Sequence, residues 1–363
     1  MVRKERFFES ALHVREGVEE PSSVNPYIDF KKKKKRALSV DEYVEGIISG
    51  NRVILSRAIT MIESVNPEHF AISQAIIEKC LPYSDKSIRI GITGVPGVGK
   101  STFIESLGKH ITSLGHRLAV LAIDPSSQRS KGSILGDKTR MESLAVDRNA
   151  YIRPSPSGLT LGGVARKTRE TIILCEAAGF DVILIETVGV GQSETVVKSM
   201  VDFFLLLMLA GAGDELQGIK RGIMEMADAI VITKADGDNR QRADLAKSQF
   251  QSALHLFPAN ENGWKIPVKT CSSIENKDID QVWQVIKEFE AVIKENGFFD
   301  KTRHEQWVNI FYEWMDNSIK DSFYSKEVVK EEIARLLPAI KSGSISPYQA
   351  GLCVLEIERK KSC

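Results

Sequence analysis

The sequence predicts an α/β fold, a mostly parallel sheet flanked by helices, with helical extensions at both termini. Six short apolar runs recur between Ile88 and Ser273, and segments long enough for helices separate most of them. This alternation is typical of a parallel sheet covered on both faces. The runs are IRIGITG, LAVLAID, DVILIET, FFLLLML, AIVITKA and PVKTCSS. Ligands of such sheets bind at the carboxyl ends of the strands.

Composition narrows the class of protein. The 363 residues are 42% hydrophobic and 27% charged, with a net charge of +1, which is ordinary for a globular protein and favours no nucleic-acid partner. No apolar run approaches the roughly 20 residues of a membrane span, and the N-terminus resembles neither a secretory signal nor a transit peptide. The cysteines form no paired motif, so we expect a cytoplasmic protein without disulfides or a zinc site; they are Cys80, Cys175, Cys271, Cys353 and Cys363.

Residues 1–84 precede the predicted sheet and divide into an arm and a helical lead-in. The lysines at 31–35 indicate a solvated, flexible arm or a contact with an acidic partner. A helical pattern then starts after Ser39, a plausible N-cap, and Gly50 is expected to split it in two. A further helix is expected from His69 to Leu81. The predicted core positions are Val44, Ile47, Ile48, Leu55, Ala58, Ile59 and Ile62.

Residues 298–363 are predicted to be helical again. The spacing of Trp307, Ile310, Phe311 and Trp314 places these side chains on one helix face. We expect this face to make a homodimer; the alternative is that it packs on the preceding domain, residues 85–297.

The strand at Ile88 runs directly into GVPGVGKST, residues 94–102, which matches the phosphate-loop pattern G-x-x-x-x-G-K-[ST]. Its glycines allow backbone N–H groups to wrap a phosphate, and the helix that follows points its positive end at the same anion. Lys100 is expected to reach the outer phosphates, and the Ser101 hydroxyl to ligate Mg²⁺. The sequence therefore predicts a P-loop NTPase. The nucleotide-binding residues expected here are Gly94, Val95, Pro96, Gly97, Val98, Gly99, Lys100, Ser101 and Thr102.

Three acids fall near the predicted carboxyl edge of the sheet. Asp124 ends one strand, Glu186 lies near the end of another, and Asp137 lies in the loop KGSILGDKTRM. With Ser101 they are the candidate magnesium ligands. Gly189 completes an E-x-x-G pattern with Glu186 and would offer its N–H to the terminal phosphate. The alternative is that these acids cap helices or end strands at the surface.

The run AIVI is followed by TKAD, where a guanine-recognition loop is expected. Asp236 can accept hydrogen bonds from guanine N1–H and the exocyclic amine, a pair of donors that adenine lacks. The stem of Lys234 would cover the base, and the hydroxyl of Thr233 would tie neighbouring loops together. Backbone N–H groups of Ser272 or Ser273 would meet guanine O6. The alternative is a strand end followed by an Asp-Gly turn.

These motifs resemble the MeaB/ArgK-type G proteins, also labelled LAO/AO transport ATPases, which include the methylmalonic aciduria type A protein. The resemblance covers the chain from about Leu38 to the C-terminus. It rests on GVPGVGKST (94–102), AIDPSS (122–127), GSILGDKTRM (132–141), IETVGVGQSE (185–194), AGAGDELQGIK (210–220) and TKADG (233–237).

The resemblance implies a GTPase that binds GTP, GDP and Mg²⁺ and chaperones an adenosylcobalamin-dependent acyl-CoA mutase, gating cofactor loading and protecting or reactivating the mutase. It implies a homodimer and admits a cobalamin adenosyltransferase as a further partner. Catalysis would use Lys100, Glu186 and Gly189, and a switch loop would carry Asp214, Gln217 and Lys220. G proteins more often have Asn at Thr233, a change that bears on the tightness of guanine binding rather than on base identity.

Other readings stay open from the sequence. One is an ATP-dependent kinase or transport ATPase, which Asp236 opposes. Another is a nickel-delivery GTPase, which calls for a Cys/His cluster, whereas the six histidines here are scattered. A signal-recognition-type GTPase also tolerates Thr before Lys-x-Asp, but no Met-rich RNA-binding domain is visible. The last is a scaffold in which the nucleotide only sets conformation.

Overall fold

The structure is a computed structural model that describes residues 38–64, 66–123, 141–154, 161–187, 193–211, 221–258 and 260–361. Its centre is a seven-stranded sheet in which every pairing is parallel. The strand order is β3-β2-β4-β1-β5-β6-β7. The strands are β1 (Ile88–Gly94), β2 (Leu118–Ile123), β3 (Ala150–Arg153), β4 (Val182–Thr187), β5 (Phe203–Leu209), β6 (Ala229–Thr233) and β7 (Val268–Thr270).

All six predicted runs form strands, so the predicted α/β fold is confirmed. The strand that the pattern missed is β3, which has four residues and pairs on one side only, with β2. Only its first two residues are buried, so it carries no apolar run for a pattern to detect.

The order of the strands places the phosphate loop at the centre of the sheet. β1 lies between β4 and β5, and all its residues are buried. From β1 the chain continues to β2 and β3 on one side of β1, and β4 then forms between β2 and β1. The next strand, β5, lies on the other side of β1. The direction of winding therefore reverses at β1, which is where open α/β sheets form their ligand crevice.

Helices cover both faces and extend beyond the sheet. They are α1 (Val40–Ile48), α2 (Arg52–Glu63), α3 (Pro67–Cys80), α4 (Lys100–Ser113), α5 (Glu142–Ala145), α6 (Leu161–Ala177), α7 (Ser193–Lys198), α8 (Arg221–Met226), α9 (Arg240–Leu254), α10 (Ile279–Glu295), α11 (Phe298–Ser325), α12 (Glu327–Lys341) and α13 (Pro347–Lys361). Single 3₁₀ turns occur at Leu81–Tyr83 and Gly237–Asn239. Among the helices in the described ranges, none combines the length and apolar character that a membrane span needs.

Alternate residues of the strands face two separate cores. On one face α4 and α10 pack on the sheet, where Phe103, Leu107 and Phe289 are almost fully buried. On the other face α9 packs on β6, and Phe250 is equally buried. Because both faces are covered, the strands are rich in apolar residues on both sides, as the sequence pattern predicted.

The helical lead-in is split where the sequence predicted. Gly50 has φ 75°, a conformation that favours glycine, and Asn51 then caps α2 by accepting from the amides of Val53 and Ile54 at 3.0 and 3.2 Å. The prediction that Ile48 is a core residue is wrong, since this last residue of α1 is 39% exposed while Tyr43 is buried. Five of the other predicted core residues are buried, namely Ile47, Leu55, Ala58, Ile59 and Ile62, and Val44 is half-buried.

A buried ion-pair cluster ties α11 to the amino-terminal edge of the sheet. Arg303 donates to both carboxylate oxygens of Asp202 at 2.6 Å and to Asp85 at 2.9 Å. Beside it, Arg89 donates through Nε to Glu176 at 2.9 Å. The Asp202 and Glu176 side chains are 1% and 0% exposed, so their charges depend on these guanidinium groups.

We expect Arg303→Met to lower the free energy of unfolding by about 3–5 kcal/mol, because it leaves the buried carboxylate of Asp202 without its guanidinium partner. Urea unfolding measures this. Lys330→Met is the matched control, since Lys330 pairs with Glu327 at the surface of α12 and its side chain is 53% exposed. Equal unfolding midpoints for the two variants would show that the cluster does not hold α11.

Candidate nucleotide site

The phosphate loop connects β1 to α4 and leaves no room for side chains at its start. A Cβ on Gly94 would lie 2.4 Å from the carbonyl oxygen of Leu207, so only glycine fits there. Gly97 and Gly99 have φ values of 79° and 92°, the left-handed region that glycine adopts without strain. Val98 is 1% exposed and anchors the loop in the core. The 14-residue helix α4 starts directly after Gly99, so its free N–H groups face the loop.

Lys100 lies at the base of the loop. Its Nζ donates to the carbonyl oxygen of Gly94 at 2.9 Å. Burial lowers the pKa of the Lys100 ammonium, while the carboxylates of Glu186 and Glu194 act in the opposite direction. Glu194, 2% exposed in the first turn of α7, was missed by the sequence reasoning. The only signal for it was an acid soon after E-x-x-G.

Glu186 reaches the loop because β4 pairs directly with β1. The register places Glu186 opposite Ile92, and the Thr187 hydroxyl donates to Thr93 at 2.9 Å in the buried core below. The Ser101 hydroxyl then donates to Glu186 Oε1 at 3.2 Å. The structure thus brings together two of the predicted magnesium ligands, and their hard oxygen donors are of the kind that Mg²⁺ prefers.

The remaining predicted ligands and switch residues lie outside the described residues. They are Asp124, Asp137, Gly189, Asp214, Gln217 and Lys220. Within the described ranges, no group of three or more His, Cys, Asp or Glu side chains comes together in a way that could hold a metal ion.

Thr233 connects the predicted base-reading loop to the phosphate loop. Its side chain ends β6, is 2% exposed, and has its hydroxyl 2.9 Å from the carbonyl oxygen of Val98 and 3.3 Å from that of Met208. This is the tie between neighbouring loops that the sequence predicted. Because the hydroxyl proton satisfies a buried carbonyl of the phosphate loop, Thr233 stabilises this loop.

Lys234 makes a second connection between the same two loops. Its backbone has φ 56°, and its carbonyl accepts from the Asn239 side chain at 2.7 Å. The side chain runs along the exposed side of the loop, and Nζ donates to the carbonyl oxygen of Gly97 at 2.9 Å. The aliphatic stem therefore spans the space between the two loops.

Asp236 is oriented by a side chain that sequence reasoning did not single out for this purpose. The Ser272 hydroxyl donates to Asp236 Oδ2 at 2.7 Å, and Ser272 is fully buried. The Ser272 amide donates to the carbonyl of Lys277 at 3.1 Å, so it is already used within the loop. The carbonyl of Ser273 accepts from Ser106 of α4 at 2.9 Å, which links this loop to the phosphate-loop helix.

We expect Thr233→Val to weaken GDP binding about tenfold, because the isosteric side chain leaves the carbonyl of Val98 without its donor. Titration with GDP measures the effect. Thr233→Ser keeps the hydroxyl and is the matched control, with near wild-type affinity. Equal affinities for the valine variant and the wild type would show that the hydroxyl does not support the loop.

This geometry agrees with comparisons to known proteins. A family model described as methylmalonyl Co-A mutase-associated GTPase MeaB matches residues 55–328, which include both the phosphate loop and the base-reading loop. The chain belongs to the MeaB family of GTPases. A GTPase of Mycobacterium bovis is 48% identical over 88% of this chain and 95% of its own length. The GTPase ArgK of Escherichia coli is 42% identical over 84% of this chain and 92% of its own.

Two further relatives carry more specific names. The mouse methylmalonic aciduria type A homolog, named as mitochondrial, is 42% identical over 87% of this chain and 79% of its own length. The crystal structure of an LAO/AO transport system kinase superposes with a TM-score of 0.70 at 36% identity, over 88% of this chain and 97% of the other. These relationships confirm the predicted family and P-loop fold. This member of the MeaB family binds guanine nucleotide and hydrolyses GTP.

Proposed function

We propose that this GTPase is the chaperone of an adenosylcobalamin-dependent acyl-CoA mutase, with methylmalonyl-CoA mutase as its client. It gates cofactor loading and protects or reactivates the mutase, and a cobalamin adenosyltransferase is a further partner. The observation that carries this proposal is the match over residues 55–328 to a family named for its association with that mutase. Relatives named for methylmalonic aciduria type A support the same client.

Residues of the phosphate loop are proposed to bind the phosphates during hydrolysis. The backbone of residues 94–102 wraps the phosphates, and Lys100 exchanges its bond to the Gly94 carbonyl for one to an outer phosphate oxygen. Ser101, Glu186, Asp124 and Asp137 would hold Mg²⁺, and the ion would neutralise developing charge on the phosphates. Glu186 also orders the attacking water, and the N–H of Gly189 binds the terminal phosphate.

Base selection belongs to the loop after β6. Ser272 holds one oxygen of Asp236, which fixes the plane of the carboxylate that accepts from guanine. The stem of Lys234 covers the base. Since the amide of Ser272 is used by Lys277, we assign the contact with guanine O6 to the amide of Ser273.

The remaining parts of the chain have proposed roles of their own. Residues 1–84 form the arm and lead-in, residues 85–297 the G domain, and residues 298–363 a dimerisation region. Asp214, Gln217 and Lys220 belong to a switch loop that responds to nucleotide or client. The protein acts in the cytoplasm as a homodimer.

The proposed dimer has a candidate surface on α11. Val308, Tyr312 and Ile319 are 53%, 63% and 59% exposed, and their spacing places them along one side of the helix. The face predicted from Trp307, Phe311 and Trp314 borders a crevice of about 430 Å³ against α3 and α6.

We expect Tyr312→Asp combined with Ile319→Asp to convert the dimer to a monomer, because charge at two positions of an apolar contact is costly to bury. Light scattering measures the mass. Asn317→Asp is the control, since it places the same charge at an exposed polar position on the opposite side of α11. A dimer retained by the double variant would move the interface elsewhere. Ending the chain near Phe298 is a poorer test, because it also removes Arg303 from the buried cluster.

Capture from the native cell tests the proposed client. The immobilised protein is loaded with GDP or with a non-hydrolysable GTP analogue and exposed to cell extract, and bound proteins are identified by mass spectrometry. We expect a cobalamin-dependent mutase whose recovery differs between the two nucleotides. Absence of any such mutase with both nucleotides would contradict the proposal.

A further inference from the structure

The short segment between α7 and β5 is hydrogen-bonded to α11. Gln306 of α11 donates to the carbonyl of Val201 at 2.9 Å, and Arg303 of the same helix binds the carboxylate of Asp202. These contacts join residues more than 100 positions apart in the chain. A shift of this segment therefore disturbs buried bonds to α11.

Arg169 of α6 adds a contact one step closer to α7. Its Nη2 donates to the hydroxyl of Ser199 at 2.8 Å and to Glu313 Oε1 of α11 at 3.3 Å, while Nη1 pairs with Glu313 Oε2. The Arg169 side chain is 8% exposed, whereas that of Glu313 is 52% exposed. One planar guanidinium thus binds both the end of α7 and one turn of α11.

The other end of α7 lies at the nucleotide site. The helix has six residues and starts four positions after Gly189 of the E-x-x-G pattern. Glu194 in its first turn is 2% exposed, and its charge acts on Lys100. The short helix α7 therefore carries, near one end, a carboxylate that acts on Lys100 and, at the other end, the hydroxyl that Arg169 binds.

We propose that Arg169 is a positioning residue for GTP hydrolysis, which holds α7 in register by joining Ser199 to Glu313 of α11. It acts through Ser199 rather than on the nucleotide. The inference rests on the proposed hydrolytic role of Glu186 and Gly189, which come shortly before α7 in the sequence.

Glu313→Gln tests the contact with little risk to folding, because the Glu313 side chain is half exposed. We expect kcat for GTP hydrolysis to fall roughly fivefold, while KM and GDP affinity stay within about twofold, since the phosphate and base loops are untouched. Glu305→Gln is the matched control on the same helix, because Glu305 is 63% exposed and its partner Lys301 lies 4.0 Å away. It should leave kcat unchanged.

Variants of Arg169 and Ser199 test whether Arg169 positions α7 or only contributes to packing. Arg169→Lys keeps the charge but cannot span both partners, so we expect it to lower kcat as Glu313→Gln does. Ser199→Ala should do the same. In the Arg169→Lys background, Glu313→Gln should add no further loss, because the contact is already broken.

Failure of the inference about Arg169 can be distinguished from failure of the proposed function. Equal kcat for Glu313→Gln and Glu305→Gln overturns the inference and leaves the site residues untouched. A rise in KM together with a lower unfolding midpoint also overturns it, because the contact would then serve stability alone. Hydrolysis by a folded Lys100→Ala variant would instead overturn the proposed roles at the phosphate loop.

Discussion

Lys100→Ala is expected to abolish measurable GTP hydrolysis, with a fall in kcat of roughly 10²–10³ or more. The ammonium is held 2.9 Å from the Gly94 carbonyl at the start of the phosphate loop, where partial burial strengthens its interaction with nearby charges. Removing it leaves the charge that develops on the phosphates without its nearest cation. Phosphate release at saturating GTP measures the effect.

Lys109→Ala is the matched control for this variant. Lys109 lies on the same helix, pairs with Asp147 at 3.5 Å, and has a side chain that is 47% exposed. Both variants should unfold at similar urea concentrations. Wild-type turnover by a folded Lys100→Ala variant would remove the phosphate-loop assignment.

Asp236→Asn is expected to reverse the base preference from guanine to xanthine. An aspartate accepts from guanine N1–H and the exocyclic amine, whereas an asparagine presents donors that suit the carbonyl of xanthine. The mismatch costs about 1–3 kcal/mol or more, so GDP affinity should fall at least roughly tenfold. Titrations with GDP, XDP and ADP measure the preference.

Asp238→Asn controls for loss of a charge in the same loop, because Asp238 is exposed and lies two residues further along. The wild type should bind GDP far better than ADP. Unchanged GDP affinity in the Asp236→Asn variant would mean that this carboxylate does not read the base.

Features encoded in contiguous residues were predictable from the sequence. The phosphate loop lies directly between a buried strand and an amphipathic helix, and each neighbour supports the same conclusion. Gly50 marked the break between α1 and α2 for the same reason, since the backbone preference of glycine is local. Thr233 was predicted to tie neighbouring loops through its hydroxyl, which bonds the carbonyl of Val98.

Features that join distant residues were not predictable in this way. Nothing local indicates that Ser272 orients Asp236, or that Arg303 reaches Asp202 across 101 positions. The aromatic face of α11 had the right periodicity, but the pattern could not tell whether α6 or a second chain lies against it. Gly189, Asp124 and Asp137 fall outside the described residues, so their roles stay predictions.

Cofactor loading with a switched nucleotide tests the central claim most directly. The captured mutase is stripped of adenosylcobalamin, and rebinding is followed by cobalamin absorbance with wild-type GTPase or Asp236→Asn, each supplied with GTP or XTP. We predict that GTP controls loading only with the wild type and XTP only with the variant. If loading responds identically to GTP with both proteins, or to neither nucleotide, then guanine recognition by Asp236 does not drive a mutase chaperone.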